Sequence, residues 1–200
     1  LTHEAKYKDW VLGYCDAWIA RTRENNGIIP SNIGLDGKIG GATDGKWYGG
    51  VYGWGFSPIV PMTGKTNDRN RIPRCFVGFM NGYLLSKGDD KYLQVWRSTA
   101  DKINANAKMV DGKLEAPTMF GDQGWYGFRP GKYNFNFLEI YHLSMKPSDR
   151  ALCEDTGWYD FLEGKNPSYP VKSLRAGLAR VRSQMEKVDA DNTSPDMRLA

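Results

Sequence analysis

The chain has 200 residues, 40% of them hydrophobic and 13% aromatic, which is enough for a folded domain with its own core. A formal charge of +4, spread along the sequence without a Lys/Arg stripe, excludes the electrostatic footprint of a nucleic-acid binder. No segment has the roughly 18 consecutive apolar residues of a membrane span, and Cys15, Cys75 and Cys153 form neither a disulfide framework nor a CxxC pair. Each of these cysteines is therefore expected to be a small buried apolar residue.

Residues 3–24 read as a helix, with Tyr7, Trp10, Val11, Tyr14, Trp18 and Ile19 recurring at spacings of three and four on one side. Thr2 is the expected N-cap and Glu4 suits the first turn, while Asn25-Asn26-Gly27 tolerate the left-handed backbone that ends a helix. Gly and Pro then recur throughout GIIPSNIGLDGKIGGATDGKWYGGVYGWGFSPIVP, residues 27–61. So long a stretch without a helix is functional or disordered, and its rings argue against disorder.

Helical patterning resumes near residue 70, where Phe76, Phe79, Met80, Tyr83 and Leu84 make an apolar side. Gly78 and Gly82 leave room there for a second helix. After Lys87-Gly88-Asp89 a third helix, residues 89–108, carries Tyr92, Val95, Trp96, Thr99, Ala100 and Ile103 inward. The stretch VDGKLEAPTMFGDQGWYGFRPGK, residues 110–132, reads as irregular. A fourth helix is expected over 133–145, with Phe137, Leu138, Ile140 and Tyr141, and a short one over 148–163 that stops at Gly164. A long helix over 170–188 places Val171, Leu174, Leu178, Val181, Met185 and Val188 on its inner side. No strand longer than a few residues stands out. The expectation is a mainly α fold, one domain over residues 1–190, and a loose polar tail at 191–200.

Two features repeat. Lys6-Tyr7 with Trp10 is echoed by Lys91-Tyr92 with Trp96, each opening a helix, and each helix leads to a Gly-rich segment with a DGK triplet. WYG recurs at Trp47-Tyr48-Gly49 and Trp125-Tyr126-Gly127. Helices opening K-Y with a following Trp, joined by loops such as GGATDGKWYGGVYGWGFSP and GDQGWYGFRP, resemble the (α/α) toroids. These are the carbohydrate-active six-hairpin glycosidases and polysaccharide lyases, whose long loops line a sugar-binding cleft. The resemblance is architectural. It implies an incomplete toroid, about half of one, because the chain supplies about half the helices a closed ring needs. It also implies a missing remainder of a longer chain, for which the absent initiator Met speaks, and export from the cytoplasm.

The loop chemistry suits a sugar, whose flat face stacks on rings while its hydroxyl edge takes amides and charges. Trp47, Tyr48, Tyr52, Trp54, Trp125 and Tyr126 offer rings, and Asn67, Asn70, Gln123, Asn134 and Asn136 offer edge contacts. The plainer reading is a cluster of rings packed beneath a loop. Two reactions fit. In β-elimination on a uronate, Tyr48 or Tyr52, with a lowered pKa, serves as base and acid while Lys46, Arg69, Arg71 or Arg74 neutralises the carboxylate. In glycoside hydrolysis Asp44 and Asp122 form the carboxyl pair, with Asp68 as a spare. Aspartates in DG and GD pairs are also ordinary turn residues. His142 is either a base facing the cleft, with Glu139 three residues earlier to bond it, or a core histidine. Neither histidine has a second ligand at metal spacing, so no metal or other cofactor is expected. The leading expectation is a carbohydrate-active enzyme or part of one, with a polysaccharide or oligosaccharide, and an acidic one first, as partner. Hydrolysis, and a non-catalytic helical-repeat module that binds glycan or protein, stand as alternatives.

Overall fold

The computed structural model describes residues 4–153 and 157–190, so the Thr2 cap and the tail over 191–200 lie outside the described residues. The chain divides into two compact units, residues 1–153 and 154–200, which are taken separately.

The first unit opens with α1 (Ala5–Glu24). Its buried stripe is Cys15, Ile19 and Thr22, and Tyr7, Trp10 and Tyr14 are exposed, Trp10 by 70%. The expected aromatic inner face is thus turned outward by part of a helical turn. Close approach is the reason: α1 meets α2 (Phe76–Leu85) through small side chains, and the Cys15 thiol donates to the Gly78 carbonyl at 3.3 Å. The end of α1 is as expected, with Asn26 and Gly27 at φ of 57° and 84°.

A 3-10 turn, Ile72–Cys75, leads into α2. Next comes α3 (Lys91–Asn104), whose Tyr92, Val95, Trp96, Thr99, Ala100 and Ile103 are all buried, as their spacing requires. The Tyr92 ring lies where a Cβ on Gly82 would sit, 2.8 Å away, so a larger residue at 82 would separate α2 from α3. The cysteines differ among themselves. Cys15 is buried, Cys153 is half-buried, and Cys75 is exposed as a residue. Surrounding protein still desolvates the Cys75 thiol and pushes its pKa up to about 12.

The stretch read as irregular is two antiparallel β-hairpins. In the first, β1 (Lys108–Val110) pairs with β2 (Lys113–Ala116), Val110 facing Lys113 across a two-residue loop. That loop is Asp111-Gly112 at φ of 48° and 74°, the pair of left-handed residues that a twisted hairpin needs. In the second, β3 (Met119–Gly121) pairs with β4 (Gly124–Tyr126) across Asp122-Gln123. A short β5 (Arg129–Pro130) returns beside β2, with Arg129 opposite Ala116. Helix accounts for 48% of the structure and strand for 11%. The fold is therefore a mixed α/β domain with two small antiparallel sheets, which corrects the expected mainly α array of toroid hairpins. Among the described residues no strand exceeds four residues, too short for the alternation of a half-buried strand to stand out.

The unit closes with α4 (Phe137–Ser144) and α5 (Pro147–Arg150). Phe137 and Ile140 are buried, as expected, while Leu138 is exposed. Asp149, 2% exposed, takes Arg97 Nε and Nη2 from α3 on its two oxygens, each at 2.8 Å, and Ser144 Oγ also donates to it. Desolvation works to raise the Asp149 pKa, but these hydrogen bonds outweigh it and hold the carboxyl below its usual range.

The second unit contains α6 (Gly157–Leu162) and α7 (Tyr169–Ala190). The six apolar residues expected on the inner side of α7 are exposed, from 39% at Val188 to 64% at Leu174. Within this unit α6 is only six residues long and cannot cover a stripe that runs the length of a 22-residue helix.

Candidate functional site

The segment between α1 and the 3-10 turn folds back on the two hairpins and brings the quoted rings together. Trp54 is fully buried, its Nε1 donating to the Ile29 carbonyl at 2.7 Å. Trp47 lies 4.7 Å from Phe120 and 6.5 Å from Trp125, and Tyr48 lies 5.1 Å from Phe120. From Trp125 the contacts run inward through Trp54 and Tyr133 to Trp96 on α3, at centroid separations of 6.2, 6.2 and 6.4 Å. Glycine makes the convergence possible: a Cβ on Gly55 would stand 3.0 Å from the Phe120 carbonyl and 3.2 Å from the Tyr48 ring. The rings meet in one place, as the glycines suggest. What they face is one another.

On the outer side of this cluster, Asp122 in the β3–β4 turn holds Lys46 and Tyr48. Lys46 Nζ lies 2.8 and 2.9 Å from its two oxygens, and Tyr48 Oη donates to Oδ1 at 2.5 Å. The bond from Lys46, then that from Tyr48, hold the Asp122 carboxyl below its usual range. The same bonds hold the Lys46 and Tyr48 protons more tightly, so both of those pKa values are raised. A tyrosine base would need the opposite shift, so the lowered pKa expected for Tyr48 is absent. Asp44, with Gly45, sits in a left-handed turn at φ of 53° and 78°, the plain turn role of a DG pair. Gln123 is exposed in the same β3–β4 turn as Asp122.

The run NDRNRIPR does more. Its Asp68, Asn70, Arg71 and Arg74 line a cavity of about 280 Å³ together with Arg129 and Tyr133. Asn70 is structural here. Its Nδ2 donates to the Thr118 carbonyl at 2.8 Å and its Oδ1 accepts the Ile72 amide at 2.9 Å, which fixes the start of the 3-10 turn. Asp68 Oδ1 accepts Ser57 Oγ at 2.5 Å, and Ser57 Oγ lies 2.7 Å from Tyr126 Oη. The guanidinium groups of Arg71, Arg74 and Arg129 have no hydrogen-bond or carboxylate partner among the described residues. Three cations thus share one recess with one carboxylate, an arrangement that favours an anion, and the fork of Arg suits carboxylate or phosphate.

Tyr52 is joined to this recess through the backbone, its carbonyl accepting the Arg71 amide at 2.8 Å, and its exposed ring packs on Phe56. Asn67 and Arg69 use their amides on Pro58 and Phe56 in the same loop, and neither lines the cavity. Asn134 and Asn136 donate to the Leu152 and Pro73 carbonyls and hold the fold. His142 is exposed on the last turn of α4, away from the cavity lining. Of the expected site, the structure gathers Asn70, Arg71 and Arg74 in one place and Lys46, Tyr48 and Asp122 in another. Arg129 and Tyr133 were missed, because Arg129 reaches the cavity by pairing with β2 and Tyr133 by its bonds to Asn104, not by any local spacing.

A mixed α/β domain with a basic recess beside an aromatic cluster is the class of protein these observations define. The chain belongs to the family described as domain of unknown function DUF8034, whose model matches residues 1–119. That match includes Asn70, Arg71 and Arg74 and stops short of Arg129 and Tyr133. No curated protein and no solved structure matches the chain.

Proposed function

We propose that the protein is carbohydrate-active and receives the carboxylate of an acidic, uronate-containing glycan in the arginine cavity. The observation that carries this reading is the set of three guanidiniums, Arg71, Arg74 and Arg129, that have no partner among the described residues and line one recess next to the aromatic loop. A sugar acid provides the matching chemistry, with a carboxylate for the arginines and a ring whose apolar face suits the exposed Phe135 in the same lining.

Binding is the first function of such a site, and β-elimination is the reaction it favours. In that reaction the C5–H and C4–O bonds of the uronate break and a C4=C5 double bond forms, while the departing oxygen takes up a proton. Arginines that neutralise the carboxylate acidify the C5 proton. Tyr52 is the tyrosine joined to Arg71 and is the candidate for its removal. Hydrolysis has less support, since Asp122 is held ionised by Lys46 and Tyr48 and cannot serve as the carboxylic acid that the reaction needs. The test is incubation with a panel of uronate polysaccharides and neutral glucans, reading bound polymer, ultraviolet absorbance of the unsaturated product, and new reducing ends. Retention of uronate polymers with a rise in absorbance is the expected result. Reducing ends without that rise would move the function to hydrolysis, and no preference for uronate over neutral polymer would overturn the reading.

A further inference from the structure

The second unit carries an apolar surface that its own short helix cannot cover. On α7 the residues Val171, Leu174, Leu178, Val181 and Met185 follow one another at steps of three, four, three and four, and Val188 continues the series. The first five are each 49–64% exposed. Strict alternation of three and four has a period of 3.5 residues rather than the 3.6 of a straight helix, so the stripe winds slowly about the axis. In heptad terms Val171, Leu178 and Met185 occupy a, and Leu174, Val181 and Val188 occupy d. The flanking positions hold no large aliphatic or aromatic side chain: e has Arg175, Arg182 and Asp189, and g has Pro170, Gly177 and Gln184. A helix that packs on a globular core adds apolar residues at e or g and so presents a broad face. A seam confined to a and d has the width of one partner helix.

We propose that α7 is an association helix whose seam is covered by α7 of a second copy of this chain, in a short, parallel, left-handed coiled coil. The charges select this arrangement. In a parallel pair each g residue lies beside the e residue of the next heptad on the other helix, which sets Gly177 against Arg182 and Gln184 against Asp189. No like charges meet, and the Gln184 amide is placed to donate to the Asp189 carboxylate of the second copy. In an antiparallel pair the e positions face each other and bring Arg175 and Arg182 of the two copies together. Area sets the strength. The exposed parts of these side chains amount to on the order of 1,000 Å² over two copies, at the lower limit of a specific interface, so the pair forms with rising concentration. An anionic lipid surface is the rival occupant, because α7 carries Lys172, Arg175, Arg180, Arg182 and Lys187 against Glu186 and Asp189. Helices that lie in a membrane interface bury a broad face with Trp or Phe in it, and the seam of α7 has neither.

The experiment is analytical ultracentrifugation of the 200-residue chain, wild type and Leu178→Glu, from about 5 to 500 µM, a range that brackets a weak interface. The wild-type mass is expected to rise from one chain towards two. Leu178→Glu places a charge in the middle of the seam and is expected to weaken association about 100-fold or more. Circular dichroism of the two proteins at low concentration should coincide, since Leu178 is exposed in the single chain. A second variant, Leu174→Cys, reads the orientation under mild oxidation, with the wild-type chain as blank. Parallel helices put the two introduced thiols in one layer, within reach of a disulfide, whereas antiparallel helices paired over the whole seam hold them roughly 16 Å apart along the axis. A cross-linked dimer that is lost when Leu178→Glu is added supports the parallel pair. A chain that stays monomeric at the highest concentration overturns the proposal, and so does association that Leu178→Glu leaves unchanged. Association without the cross-link overturns the parallel arrangement. Binding to phosphatidylserine vesicles that Leu178→Glu abolishes, with no self-association in solution, replaces the second copy by a lipid surface.

Discussion

The aromatic cluster and the arginine cavity are neighbours built from the same loops, yet their polar groups are in opposite states. Among the rings, Trp54 Nε1 has the Ile29 carbonyl, and Tyr48 and Lys46 share Asp122. Around the cavity three guanidiniums have no partner among the described residues. Satisfied groups hold a structure in place, and open ones in a recess mark where something else is to be bound. The cluster that draws the eye in the sequence is scaffold. The plainer run of arginines beside it is the candidate site.

The strongest way to break this contrast is Trp54→Ala. Emptying a fully buried indole and orphaning the Ile29 carbonyl should cost about 3–5 kcal/mol in denaturant unfolding. If Trp54 were a sugar platform instead, its loss would lower binding and leave stability nearly intact. Next in size is the pair Arg71→Gln with Arg74→Gln. Both side chains are exposed, so the Tm should stay within about 1 °C. Uronate binding should fall by about 100-fold, since charged hydrogen bonds are lost on one side of the recess. A stability loss equal to that of Trp54→Ala would mean that the arginines belong to the scaffold as well.

The smallest effect sharpens the scaffold side. Asp122→Asn removes the carboxylate that raises the Tyr48 pKa, so the Tyr48 phenol should titrate at lower pH by ultraviolet absorbance, with glycan binding unchanged. The sign for Asp122 itself follows from its lowered pKa. Its contribution to stability is present above the unfolded value of roughly 3.9 and disappears as pH falls through the folded value. In the wild type the acid limb of the stability curve should therefore contain a component below the usual carboxylate range that the Asn variant lacks. Loss of glycan binding in this variant would transfer the site from the cavity to the lysine–tyrosine–aspartate group.

Much of the helical part was legible. On α3 every one of the six residues picked by spacing is buried, because a strongly amphipathic helix has only one way to face a core. On α1 the same reasoning chose the wrong stripe. It weighed ring size, whereas the packing was decided by how closely Cys15 could approach Gly78. The K-Y…W echo shows the point: Trp10, three residues after Tyr7, is 70% exposed, and Trp96, four residues after Tyr92, is fully buried. The hairpins had one visible signal, the Asp111-Gly112 turn, but strands of four residues or fewer gave it no flanking alternation to confirm. On α7 the spacing named the apolar stripe correctly and could not say whether anything covers it.

By itself the sequence determined what was local. It set the spans of α1, α3 and α7 to within a few residues and the asparagine-glycine stop of α1, though not the helix expected over 148–163, which is the separate α5 and α6. It also set the turn role of Asp44-Gly45, the basic run from Asn67 to Arg74, and the convergence that glycines allow around Trp47, Tyr48 and Trp54. Tertiary structure alone decided which rings are hidden, that Asp122 binds Lys46 and Tyr48, and that Arg129 and Tyr133 join Arg71 and Arg74 around one cavity. The physical reason is range. Caps, turns and helical faces arise from residues a few positions apart, whereas the cavity is closed by the β2–β5 pairing and by Asn104 clamping Tyr133, contacts that no local spacing encodes.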